Sequence, residues 1–184
     1  FILYTHLFPD PTGIPSALLG SGPSVTFMHP GLQLFELTWE TIDPVVFAAR
    51  VAKRPLPGHP QRSVYEPVGL GDSYFGTQTY DAMATTYGHR EAGTVVWPTM
   101  QDALALVGRD GLVTYPITND VTSSDGTPYT GVVVQYMGDG VYDPHAIYTQ
   151  LPEVKHQYAC FLSTHLQTGT AVVVAPGPVG SPCN

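Results

Sequence analysis

Basic residues are the first scarcity. Seven lysines and arginines face fifteen acids, for a formal net charge of −8, and Lys53 and Lys155 are the only lysines. The densest basic stretch, Arg50-Val-Ala-Lys53-Arg54, holds three charges in five positions. That is too little for the electropositive footprint that nucleic acids and anionic membranes require, so neither is an expected partner. Long apolar runs are missing as well. None approaches the roughly 18 residues of a membrane span, and membrane insertion is not expected. No Asn-x-Ser/Thr sequon occurs, and no two of the seven histidines stand as His-x-x-x-His. Asp139, Asp143 and His145 supply metal-ligand chemistry, but they are spread more widely than the carboxylates of a calcium loop. The expected metal and cofactor are therefore none. The chain starts at Phe1 without a visible signal peptide, which reads as a processed mature chain or an excised domain.

Glycine, proline and tyrosine are abundant instead, at 19, 18 and 11 residues. They favour turns and strands. In Leu32–Trp39, Phe35, Leu37 and Trp39 fall on one face of an extended segment, with Glu36 and Thr38 on the other. Val141–Tyr148 alternates in the same way. Further strands are expected at 2–8, 24–29, 63–68, 73–80, 93–97, 112–118, 129–137, 157–164 and 169–175. Asp110-Gly111, Asp125-Gly126 and Asp139-Gly140 carry the hairpin-turn signature and imply an antiparallel meander. Two helices are expected. One lies over 99–108, with Thr99 and Asp102 resembling a capping box; the other lies over 43–50, with Asp43 as cap and Pro44 at the first helical position. The fold class expected is all-β: an antiparallel barrel or sandwich of about ten short strands with one or two short helices. It forms a single domain over 1–184, ending in a Pro/Gly-rich tail over 176–184.

One motif pulls the other way. Gly71-Asp72-Ser73-Tyr74 resembles the nucleophile block of the SGNH (GDS-type) lipases and esterases. That resemblance implies Ser73 as nucleophile, an oxyanion-hole asparagine at Asn119 and a late carboxylate–histidine pair at Asp143 and His145. The order along the chain fits. Two positions depart from the pattern: Ile117 stands where the family has glycine, and Asp143-Pro-His145 is one residue shorter than Asp-x-x-His. The family also needs a parallel sheet with long crossover helices, which the β-rich reading does not provide. In that reading Asp72 and Ser73 cap backbone amides in a turn, and no catalytic residue is assigned. Glu36 and Glu40 do not share a strand face with the Trp39 neighbourhood as a glycosidase pair would need, except across strands.

The expected role is accordingly binding, with enzymatic activity not favoured. Poverty in lysine, the tyrosine content and many short strands point to a protruding (spike) domain of a non-enveloped virus capsid. Such a domain would dimerise and engage a host receptor or glycan from an extracellular or virion-surface location. A secreted lectin-like domain is the alternative, and a secreted hydrolase of SGNH or glycosidase type the third reading. Ligand-binding residues are expected on two loops: Ser123, Ser124, Asp125 and Tyr129 in one, Arg90 and Glu91 in the other. Cys160 and Cys183 are expected to form a disulfide tying the tail to a strand.

Overall fold

The computed structural model describes Leu34, Leu37, Thr38 and residues 40–183. The chain divides into two compact units, Phe1–Val46 and Phe47–Asn184. In the first, Leu34, Leu37 and Thr38 are helical, against the strand expected over 32–39. The strands expected at 2–8 and 24–29, and Glu36 of the glycosidase pair, lie outside the described residues. Helix α1 (Pro44–Val51) begins as the sequence predicts, with Asp43 Oδ1 accepting the Val45 amide at 2.9 Å.

The second unit overturns the all-β expectation. Its described elements are β1 (Val64–Gly69), α2 (Thr77–Tyr87), β2 (Arg90–Ala92), α3 (Thr99–Ala105), β3 (Leu112–Val113), β4 (Val121–Thr122), β5 (Pro128–Tyr129), β6 (Gly131–Tyr136), α4 (Ile147–Gln150) and α5 (Pro152–Thr168). Four strands form a parallel sheet in the order β1-β6-β2-β3, and β4 and β5 form a small antiparallel pair. This is a mixed α/β architecture rather than a barrel or sandwich. Of the three Asp-Gly turns only Asp125-Gly126 closes a hairpin; the other two lie in loops flanking parallel strands.

β6 explains why the sheet is parallel and central. All six of its residues are buried, as a strand covered on both faces must be. Val133 packs with Val68, Ala84, Met100 and Leu104, so α2 and α3 cover that face. Val132, Val134 and Tyr136 pack with Ile147 and Val154, so α4 and α5 cover the other. Gln135 is polar, but both ends of its amide are used: Oε1 accepts the Val96 and Trp97 amides at 2.5 and 2.9 Å, and Nε2 donates to the Trp97 carbonyl at 3.1 Å. Those bonds hold 93–97 as a loop, where a strand is expected.

Two expected strands are helices, for physical reasons that can be named. In α5 the buried positions are Val154, His156, Gln157 and Cys160. Gln157 is buried because it bonds across the core: its Nε2 donates to the Val174 carbonyl at 2.7 Å, and its Oε1 accepts the Tyr65 and Tyr136 hydroxyls. A polar residue on the inner face hides the helical period. In α2 the threonines favour strand locally, yet Ala84 and Asp81 pack inward. The Asp81 carboxylate accepts Trp97 Nε1 at 2.9 Å and Thr99 Oγ1 at 2.7 Å. Thr99 therefore serves that bond rather than a capping box, and Pro98 occupies the cap position of α3. The stretch 141–148 forms a 3-10 turn over Pro144–Ala146 leading into α4, because Asp143 caps it and Pro144 suits its first position. Between the segments 112–118 and 169–175, β-pairing is an isolated antiparallel bridge of Ile117 and Val173. The disulfide joins Cys160 and Cys183 as expected, but its inner anchor is a helix.

Candidate functional site

The chain leaves β1 toward α2 on one face of the sheet, and leaves the adjacent β6 toward α4 and α5 on the other. The carboxyl ends of two such strands are the usual place for ligands in a parallel sheet. Asp72 and Ser73 lie on the loop after β1, and Asp143 and His145 on the loop after β6.

Close backbone approach brings the two loops together. A Cβ added at Gly69 would sit 2.6 Å from Pro144 Cβ, and one at Gly138 would strike the Leu70 carbonyl and lie 2.5 Å from Pro144 Cγ. With both positions bare, the 3-10 turn lies against the end of β1. His145 Nδ1 then reaches Asp72 Oδ2 at 3.1 Å.

The environment of this pair is asymmetric. The Asp72 side chain is 0% exposed and that of His145 is 37% exposed. Asp72 Oδ1 accepts the Tyr74 and Phe75 amides at 2.7 and 2.9 Å, and Oδ2 also accepts the Tyr80 hydroxyl. Burial and the bonded Asp72 carboxylate push that hydroxyl far above the tyrosine range, so Tyr80 remains a donor. A carboxylate acceptor at Nδ1 fixes the imidazole proton there and leaves Nε2 as the basic edge. Tyr74 and Phe75 fix the ring plane, with centroids 4.4 and 5.1 Å from it.

Ser73 points elsewhere. Its Oγ donates to Asp143 Oδ2, while Asp143 Oδ1 accepts the His145 amide at 2.9 Å and the Ser73 amide at 3.4 Å. The Ser73 hydroxyl, followed by the His145 amide, holds the Asp143 carboxyl below its ordinary range. The pairing is thus crossed relative to the SGNH resemblance: the late aspartate binds the serine, and the block's own aspartate binds the histidine. Asn119 is placed far away. Its amide bonds Thr130 Oγ1 at 3.0 Å, at the amino end of β6, while Ser73 meets the loop beyond its carboxyl end. Six strand residues span about 20 Å, so Asn119 is no oxyanion donor for Ser73.

The expected binding loops meet at the amino end of the sheet. Tyr129 is 1% exposed, and its hydroxyl, pushed up to about 12 by burial, donates to the Tyr87 carbonyl at 2.9 Å. Glu91 is 0% exposed and accepts from Gln101 Nε2. Arg90 reaches the Asp110 carbonyl at 3.5 Å. Ser123 Oγ donates to Asp125 Oδ1 at 2.5 Å, and Ser124 is exposed. The outer loop is thus held largely by its own side chains.

Among the described residues, no group of three or more His, Cys, Asp or Glu is arranged to hold a metal, and no helix is long and apolar enough to cross a membrane. No family model, curated protein or solved structure matches the chain.

The sequence pointed to both halves of the site but not to their union. Asp72 read as a turn cap and His145 as a partner of Asp143. The signal that joins them is the apolar run Val132–Val134, which marks a central parallel strand, the kind of strand whose carboxyl end is the usual place for ligands.

Proposed function

We propose that Asp72 and His145 are the carboxylate and general base of a serine-type hydrolase acting on uncharged esters. The carrying observation is the 3.1 Å contact between a fully buried carboxylate and a half-exposed imidazole at the switch point of a parallel sheet. A buried aspartate orients such an imidazole and stabilises the imidazolium formed when Nε2 takes the nucleophile's proton. The acid precedes the histidine in two of the known serine-hydrolase triad orders, and Asp72 precedes His145 here. Ser73 is not that nucleophile, because its Oγ is committed to Asp143. The sequence has no Gly-x-Ser-x-Gly elbow. Tyr74 and Phe75 beside His145, together with Tyr142, 99% exposed on the same loop as His145, give the surroundings an aromatic character. The acidic chain disfavours anionic substrates.

The spike and lectin readings drew on lysine poverty, tyrosine content and many short strands; the parallel, helix-covered sheet removes the last of these grounds.

Turnover of p-nitrophenyl acetate and butyrate tests the proposal. His145→Ala and Asp72→Asn should each lower kcat by about a thousandfold or more, by analogy with removing a triad member. No turnover by the unaltered protein, or equal turnover by His145→Ala, overturns it.

A further inference from the structure

The loop after β1 sends consecutive side chains to two different partners. Asp72 goes inward to the His145 ring and Ser73 goes to Asp143. Asp143 in turn accepts the His145 backbone amide at 2.9 Å and caps the 3-10 turn that carries this histidine. Its own loop is tied from behind. Gln150 Nε2 donates to the Asp143 carbonyl at 3.0 Å, and Gln150 Oε1 accepts the Tyr142 amide at 2.7 Å. The histidine is therefore fixed twice, its ring through Asp72 and its backbone through the chain from Ser73 to Asp143.

We infer that Ser73 is a positioning residue, not a nucleophile: with Asp143 it forms a bracket that holds the His145 backbone where its ring meets Asp72. This rests on the hydrolase reading for its effect on turnover, but not for its effect on the imidazole. A serine hydroxyl that donates to Asp143 is bonded to a weaker base than the imidazole that activates a triad serine, and is not aimed at His145. A hydroxyl one residue from the orienting acid is instead well placed to align the two loops. A small displacement of a base is costly, since about 1 Å of misplacement lowers rate by about a hundredfold.

The test uses Ser73→Ala, Ser73→Thr and Asp143→Asn in the intact protein. Turnover is measured on p-nitrophenyl butyrate, and the His145 tautomer is read from ¹⁵N imidazole shifts. Ser73→Ala and Asp143→Asn should lower kcat by about 10–100-fold with KM nearly unchanged, and should reduce the Nδ1-protonated population of His145. Ser73→Thr, which keeps the hydroxyl, should restore both readouts to within a few-fold. A loss of about a thousandfold or more in Ser73→Ala that threonine does not rescue would identify a nucleophile and overturn the bracket. An unchanged His145 tautomer in both Ser73→Ala and Asp143→Asn would overturn it too. If the unaltered protein turns over no ester, the hydrolase reading fails, while the imidazole shifts still decide the bracket.

Discussion

The sheet carries a histidine–carboxylate pair at each end, and the two are built oppositely. At the carboxyl end His145 is 37% exposed over an Asp72 side chain of 0% exposure; at the amino end His89 is 0% exposed and its partner Glu66 is 14% exposed, at 3.0 Å. Asp72 accepts from two amides, a tyrosine and the histidine. By contrast, both ring nitrogens of His89 and one oxygen each of Glu66, Glu91 and Asp120 are buried without an aligned hydrogen bond among the described residues. The contrast separates chemistry from packing. A base that exchanges protons with a substrate needs an open nitrogen and an acid that is dry and fully bonded. A histidine sealed between strands, stacked on Tyr87 at 5.1 Å, has no route to a substrate and serves the core.

Substitution at the two histidines should therefore split cleanly. The loss of turnover described for His145→Ala should come with little change in stability. His89→Ala should cost about 2–4 kcal/mol by cavity formation and an unpaired acid, read by urea unfolding, with kcat of the folded fraction kept. Equal stability losses at both sites would erase the distinction.

A smaller effect follows from the amino-end acids. Burial raises the Glu91 carboxyl above its ordinary range, and Asp120 likewise. For an acid raised in the folded state, the contribution to stability is fully present below the unfolded value. It is lost as pH rises through the folded value. Glu91→Gln should therefore raise the melting temperature at pH 7 relative to pH 4 by a few degrees, about 1 kcal/mol or less in a domain of this size. A larger gain at pH 4 than at pH 7 would contradict the sign.

These two ends were not equally legible in the sequence. Val132–Val134 reads as a buried strand on composition alone, and Asp43-Pro44 marks a helix start that the structure keeps. The all-β reading failed where polar side chains occupy inner positions. Gln157 in α5 and Asp81 in α2 are buried because each is hydrogen-bonded across elements, so hydrophobic periodicity alone mistakes both helices for strands. The binding loops drew attention through their polar content, yet Tyr129 and Glu91 spend that content inside the fold. The Asp72–His145 pair spans 73 positions. It becomes visible only once β1 and β6 are known to be neighbours, a topological fact that no local pattern encodes.

The most direct test of the central claim is active-site labelling with a fluorophosphonate probe, followed by peptide mapping. The account predicts one labelled serine other than Ser73, with labelling lost in His145→Ala and retained in Ser73→Ala. Labelling at Ser73, or labelling that persists unchanged in His145→Ala, would contradict it.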